Sequence, residues 1–475
     1  MSTTRARQMD MTQGPIFSKI IIFILPIIAT NLLQHFYNAA DVMIVGMSPE
    51  LDAVGAVSSA GSFLALITNI FIGFSTGAGV VVSRCFGAKD REGTSRAVHT
   101  SLLMSIIFGV IGSLLGIAIT RPILAAIGFG GNLLELAVRY SYIYLACMPF
   151  QSLTNFLCAI MRAKGDSRTS LYVLSGTGVL NIGLNLFFVL VVGWSVEGVA
   201  VATAIANLVS AVILWLALTG ENDPCRIELR RLRMSRSEFF EIAHLGFPAG
   251  IQNAMFSISN MIIQSSILEI NNALAPAGAA YEPVVKGNAA GTSIEAFVFN
   301  ALAATTVTAS TFTGQNVGVH DYRRVRRVLL HTCIISSVIA VVMTVGIMVF
   351  CEPLAALYGV RNTEDTLGRI AYETYIIRMW WKWPPFILYA IMNAASGVLR
   401  GLGKSFSTAI IALVGTCLLR VVWIYTAFEA WSTLEVIYVS YPISWALSGA
   451  VFMVYAILDI NKKIRLHGGE KAAEQ

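Results

Sequence analysis

Long apolar stretches alternate with short polar segments along almost the whole chain. Apolar runs occupy about 16–45, 53–82, 97–120, 136–160, 169–192, 196–218, 239–270, 284–313, 325–351, 366–398, 405–428 and 434–460. A membrane crossing needs about 20 such residues in a helix, so each run is long enough to span. Only helices and closed barrels satisfy every backbone polar group within lipid. Barrel strands are about ten residues long and alternate in polarity, which these runs do not. The pattern therefore predicts an all-α integral membrane protein with twelve transmembrane helices. Composition agrees: of 475 residues, 56% are apolar and 13% charged, against about 25% charged in soluble proteins. A soluble globular class is excluded. Residues 1–13 are polar, and no small-residue cleavage site follows the first run, so that run reads as an uncleaved first helix.

The formal charge of +6 does not point to nucleic acid, because the basic residues alternate with topology. With the N-terminus cytoplasmic, segments on that side hold 25 of the 33 Lys and Arg, including Arg5, Arg7, Lys89, Arg162, Arg230, Arg231 and Lys471. The opposite loops hold four, Arg121, Lys286, Arg361 and Arg369. Positive charge collects on the cytoplasmic side of membrane proteins, which places both termini there. The most basic loop follows the sixth helix and divides the chain into a lobe at 1–220, a linker at 221–238, a second lobe at 239–460 and a cytoplasmic tail at 461–475. Echoes between the halves argue for a repeat. Arg162-x-x-Gly165-x-Ser167 recurs as Arg400-x-x-Gly403-x-Ser405, Pro26 as Pro248, and Gly87-Ala-Lys-Asp90 as a loop beginning Gly314-Gln-Asn. Six is even, so both halves enter the membrane in one direction, as parallel repeats of six helices related by a pseudo-two-fold axis along the membrane normal.

A charged side chain at the bilayer centre costs about 2.5–3.5 kcal/mol on insertion scales. The few inside helices, Asp41, Glu295, Arg378, Lys382 and Arg420, are therefore expected to face a cavity or a partner. In helix one, Gln34, Tyr37, Asn38 and Asp41 fall on one face by their spacing. Helix five offers Asn181 and Asn185, and helix six Thr203 and Asn207. Asp41, Asn185 and Thr203 lie 22, 17 and 18 residues from the nearest cytoplasmic loop, which at about 1.5 Å per residue is a shared layer. One carboxylate with amide and hydroxyl oxygens suits a small hard cation or a proton; polar stripes also glue helices together. In the second half, Glu295, Lys382 and Arg420 share a depth, and Arg378 or Lys382 can neutralise Glu295 as a structural ion pair. Pro26 and Pro248 are candidate hinges or static kinks. Trp380, Trp381 and Trp383 suit either an aromatic belt or a cavity wall. Seven dispersed cysteines, six dispersed histidines and the absence of a Walker A loop give no sign of a metal cluster, a disulfide framework or direct use of ATP.

Taken in order, these residues resemble the multidrug and toxic compound extrusion (MATE) family. The resemblance is carried by Gln34-x-x-Tyr37-Asn38-x-x-Asp41, Gly87-Ala-Lys-Asp90, Arg162-x-x-Gly165-Asp166-Ser167 and Gly198-Val-Ala-x-Ala202-Thr203. In the second half it continues through Ile294-Glu295-x-Phe297, Gly314-Gln315-Asn316-x-Gly318 and Gly397-x-x-Arg400-Gly401-x-Gly403. It implies a secondary antiporter, not an enzyme, whose two lobes alternate in access and export organic cations in exchange for Na⁺ or H⁺. It also implies an ion site at Asp41, Asn181, position 185 and Thr203, with Na⁺ at Asp41 as the candidate metal. Position 185 departs from the family pattern, carrying Asn where many members have a second acid. Gln252 and Asn253 occupy the region where some members carry a helix-seven Glu, and Glu295 is the substitute there.

The expected partners are the lipid bilayer and a small cationic amphiphile, with no cofactor beyond the coupling ion and no nucleic acid. The chain is expected to act as a monomer in the inner or plasma membrane. Gln34, Tyr37, Asn38, Asn207, Gln252, Glu295, Arg378, Lys382 and Arg420 are the candidate cavity or auxiliary polar residues. The rival reading is a flippase for lipid-linked precursors from the same superfamily, with Arg378, Lys382 and Arg420 suited to an anion.

Overall fold

The structure is a computed structural model that describes residues 9–48, 50, 52–126, 128–220, 223–276, 279 and 281–473, with the side chains of 59 and 468–473 left out. Arg5, Arg7, Glu221 and Asn222, at the ends of the expected first segment and linker, lie outside the described residues, as does the Lys471 side chain.

Among the described residues, twelve helical segments follow the twelve apolar runs. They are α1 (Ile16–Val45), α2 (Ala53–Gly87), α3 (Arg91–Ala126), α4 (Gly131–Ala146 with Met148–Ala163), α5 (Arg168–Val191) and α6 (Val196–Thr219). The second half has α7 (Arg236–Leu274), α8 (Pro283–Gly318), α9 (Tyr322–Val349), α10 (Thr366–Lys382 with Phe386–Gly401), α11 (Ser405–Trp431) and α12 (Leu434–Ala473). Among the described residues, nine are unbroken, long and apolar enough to cross a membrane, and α4 is a tenth span, bent by 50° at Cys147. Breaks in α4 and α10 have a local cause. Pro149 follows the first, and Pro384-Pro385 fills the second; proline removes a backbone donor and its ring clashes with the preceding turn. α7 is helical throughout but rich in Gln, Asn and Ser, so composition rather than continuity sets it apart.

Several helices run past the apolar pattern. α2 continues to Gly87, α3 begins at Arg91 and α12 reaches Ala473, because hydropathy marks the lipid-facing length and not the polar turns beyond it. The expected tail at 461–475 is thus largely a helical extension. Gly314-Gln315-Asn316, expected to open a loop, is the last full turn of α8, and the chain turns only after Gly318.

The loop echoes have a common backbone form. After α4 and α10, Gly165 and Gly403 take φ +94° and +82°, Asp166 N–H donates to Met161 O and Lys404 N–H to Leu399 O, both at 2.9 Å. After α2 and α8, Lys89 and His320 take φ +59° and +56°, Asp90 N–H donates to Cys85 O at 3.1 Å and Asp321 N–H to Asn316 O at 3.0 Å. Each is a left-handed residue followed by a bond to the carbonyl five residues back, which closes the orphan carbonyls of a helix end. The repeat read from sequence is therefore a repeat of helix endings.

The chain forms two compact units, Met1–Ala254 with Thr311–Asp321, and Met255–Ser310 with Tyr322–Gln475. In the first unit α1 packs along α5, and α2 meets α7 through Gly73 and Gly77 against Gly246 and Gly250, a contact that leaves no room for a Cβ. Its core falls into two clusters. One gathers Val45, Ala56, Leu64, Phe71, Leu145 and Val199, and the other Val81, Leu102, Phe156, Ile160, Leu214 and Ile242. Met11 is buried beneath the end of α8: its N–H donates to Gln315 Oε1 (3.2 Å), its carbonyl accepts from Asn316 Nδ2 (3.2 Å), and Gln315 Nε2 donates to Ala163 O (2.8 Å).

The basic linker is docked, not loose. Glu228 N–H donates to His99 Nε2 (3.0 Å), Ser235 N–H to Thr100 Oγ1 (3.0 Å), and Arg96 pairs with Glu238 (2.9 Å). Buried His99 holds its acceptor nitrogen toward the linker because Nδ1 bonds the Ser95 carbonyl at 2.7 Å. His99→Ala is expected to release this anchor and to speed tryptic cleavage at Arg230 and Arg231 several-fold; an unchanged cleavage rate would contradict the docking role.

Candidate functional site

Asp41 sits near the end of α1, where the packing of α1 along α5 turns its side chain inward to 9% exposure. The two asparagines of α5 meet it. Asn185 Nδ2 donates to Asp41 Oδ1 at 2.5 Å. In the orientation that satisfies its neighbours, the Asn181 amide nitrogen donates to the same oxygen at 2.9 Å, and its own oxygen accepts from the Thr203 hydroxyl and backbone N–H, both at 3.3 Å. So the four residues expected to share a layer, from α1, α5 and α6, share one hydrogen-bonded cluster. Asn185 Oδ1 is sealed from solvent and accepts no hydrogen bond among the described residues. An unmet buried acceptor costs about 1–3 kcal/mol. Directly after Asn185, α5 becomes π-helical at Phe187–Val191, a distortion that concentrates at functional positions.

The rest of the helix-one stripe divides. Tyr37 OH donates to Ser175 O at 3.2 Å, while Gln34 and Asn38 are exposed. Asn207 Nδ2 returns to Thr203 O at 3.0 Å and supports the α6 turn beneath the cluster. Gln252 is buried on α7. Sequence reasoning missed buried Tyr140 and half-buried Tyr144 of α4, both within electrostatic reach of Asp41, and Gln151, which donates to Tyr144 OH at 2.8 Å. The spacing of four between Tyr140 and Tyr144, one helical face, was the available signal for the tyrosines, and Gln151 lies beyond the bend at Cys147.

In the second unit Glu295 of α8 is buried between two residues of α10. Arg378 grips it with Nε to Oε1 (3.1 Å) and Nη2 to Oε2 (2.6 Å), and Lys382 Nζ donates to Oε2 at 2.7 Å. Both cations therefore neutralise the acid, where the sequence left the choice open. Arg378 Nη1 also donates to Asn288 Oδ1, which accepts from Tyr438 OH at 3.0 Å. Arg420 of α11 stands one aromatic ring away, over Tyr441 at 4.1 Å. Of the three tryptophans, Trp383 is fully buried and stacks on Phe386 at 5.0 Å, whereas Trp380 and Trp381 point outward. Pro26 and Pro248 lie inside unbroken helices. Among the described residues no three His, Cys, Asp or Glu side chains gather as a metal site.

A family model described as MatE matches residues 26–187 and 248–426. The chain is 25% identical over 444 residues to a probable multidrug resistance protein, YoeA, of Bacillus subtilis, covering 91% of this chain and 92% of that one. It is 24% identical over 260 residues to the multidrug export protein MepA of Staphylococcus aureus, covering 55% of this chain and 58% of that protein. Among solved structures, a MATE P26A mutant superposes with a TM-score of 0.86 at 20% identity, covering 96% of this chain and 98% of that chain. An outward-facing multidrug resistance MATE family transporter of the MOP superfamily gives 0.85 at 21% identity, covering 98% and 99%.

Proposed function

The chain belongs to the MatE family, and on that premise we propose that it is a secondary active antiporter which exports small organic cations in exchange for Na⁺ or H⁺. The names of its relatives, a multidrug resistance protein and a multidrug export protein, support drugs as the cargo. The observation that carries the reading is the Asp41 cluster. One acid, desolvated in the membrane, is held by two amide donors rather than by a fixed cation. Intramembrane carboxylates without a basic partner are retained where an ion or a proton moves. The donor set offered to a cation is the Asp41 carboxylate, the unmet Asn185 Oδ1 and the Thr203 hydroxyl, all hard oxygens. With a single formal charge, this set suits a monovalent ion or a proton.

Exchange needs no chemistry on the substrate. A cation bound at Asp41 lowers the free energy of whichever arrangement best desolvates it, and the substrate favours the other. Ion and drug then compete for the arrangement of the helices and not necessarily for the same atoms. The excess of Lys and Arg in alternate segments supports a reading with both termini cytoplasmic, and we take the transporting unit to be a monomer. The test is efflux of a fluorescent organic cation from proteoliposomes under Na⁺ and pH gradients imposed separately. One gradient is expected to drive efflux against the substrate gradient; failure of both would overturn the reading.

A further inference from the structure

A groove of about 610 Å³ runs between α11 and α12. Its walls are Ile410, Val414, Leu418 and Val422 of α11 with Leu447 and Val451 of α12, all exposed although they lie within membrane spans. Its floor is Gly415, where a Cβ would meet Ser448 Oγ at 2.5 Å. α11 is π-helical at Leu413–Leu418 and again at Ile424–Phe428, so the wall carries two of the wide turns that recur at functional positions. Each polar side chain of the lining is already engaged. Thr426 Oγ1 donates to Val422 O at 2.7 Å, Trp423 Nε1 donates to Val436 O at 2.8 Å, and Ser448 Oγ pairs with Thr416 Oγ1 at 3.0 Å. A polar ligand would leave its hydrogen bonds to water unreplaced here. Hydrocarbon is what the groove accepts.

The groove leads to positive charge. Along α12, Leu447, Val451, Val454, Leu458, Lys462 and Arg465 are all exposed, and their steps of three and four residues keep them on one helical face. Lys462 lies 11 residues beyond Val451, about 16 Å at the helical rise and close to the depth of one leaflet's hydrocarbon. The acid on this stretch of α12, Asp459, is shared by Lys404 at the start of α11 and by Lys463, at 3.8 Å each. Lys462 and Arg465 are left without an ion pair among the described residues. An apolar track one chain long that ends at two uncompensated cations has the outline of a phospholipid with a negative headgroup.

We propose that this face of α11 and α12 is a binding site for an anionic diacyl phospholipid of the cytoplasmic leaflet. Lys462 and Arg465 hold its phosphate, and the distal part of one acyl chain lies in the groove against Gly415. A zwitterionic lipid fits the groove equally well but gains less from the cations, so the site selects by headgroup. The inference concerns the bilayer and not the cargo, and it stands whether or not the antiporter reading holds.

Trp423 lines the groove and reports its occupancy. The experiment uses the full chain in phosphatidylcholine nanodiscs that contain a low fraction of either phosphatidylglycerol or phosphatidylcholine brominated near the ends of its acyl chains. Bromine quenches tryptophan on contact, and the Trp423 share is the quenching lost in Trp423→Phe. Half-quenching of Trp423 is expected at a fraction of the glycerol lipid about five-fold below that of the choline lipid, because each basic side chain near the surface adds attraction for an anionic headgroup. Lys462→Gln combined with Arg465→Gln should bring the two lipids within about two-fold by weakening the glycerol lipid alone. Val451→Phe, which fills the groove and keeps the charges, should lower the quenching of Trp423 by both lipids. Equal quenching by the two lipids in the wild type would overturn the proposal, because the groove would then meet only an unselective lipid annulus. A preference that survives the double variant, or quenching undiminished by Val451→Phe, would overturn it as well.

Discussion

Asp41→Asn is expected to abolish gradient-driven export, lowering initial efflux to the level of protein-free vesicles, while leaving the amount and melting temperature of the purified protein close to wild type. The substitution preserves size and removes only the charge. Asn185 and Asn181 both donate to Asp41 Oδ1, and an amide oxygen at position 41 can still accept them. The variant therefore keeps its hydrogen bonds but has nothing left to attract a cation or to take up a proton. The measurement pairs efflux in proteoliposomes with thermal unfolding of the same preparation. Normal efflux would sink the assigned role of Asp41, and a large fall in melting temperature would show that the residue holds the helices together instead.

Glu295→Gln is expected to behave in the opposite way, as a stability defect. It leaves Arg378 and Lys382 buried with no carboxylate between them. Removing one partner of a buried pair costs about 3–5 kcal/mol, because the remaining charge is stranded. For a unit of this size that corresponds to a fall in melting temperature on the order of 10 °C. Adding Lys382→Met to the variant removes one stranded charge and should restore part of the loss. A melting temperature unchanged by Glu295→Gln would contradict the claim that this carboxylate organises α8 and α10.

These two acids illustrate what could be read in advance. Hydropathy gave twelve helices and their order, since crossing length is a property of composition alone. It could not give the π-helical segments after Asn185 and around Arg420, which arise from local packing and leave no periodic signature. Counting residues from the basic loops placed Asp41, Asn185 and Thr203 in one layer, and the structure brings them into one cluster, because helical rise converts sequence distance to depth. Periodicity was weaker on azimuth. It put Gln34 and Asn38 on the face of Asp41, yet both are exposed, since spacing defines a stripe but not which part of it a neighbouring helix covers. The linker shows a different limit. Its charge marked it as the divider between the halves but said nothing of its docking, and the anchor that docks it, His99 to the Glu228 backbone, joins residues 129 positions apart.

Whether ion and drug move in opposite directions on one protein decides the account most directly. Ion uptake and dye efflux would be recorded in the same proteoliposomes, with radioactive Na⁺ and an internal pH dye as the two ion readouts. Wild type is expected to take up one of the two ions in proportion to the dye released, and Asp41→Asn to take up neither. Dye release that proceeds unchanged after both gradients are collapsed would contradict the account.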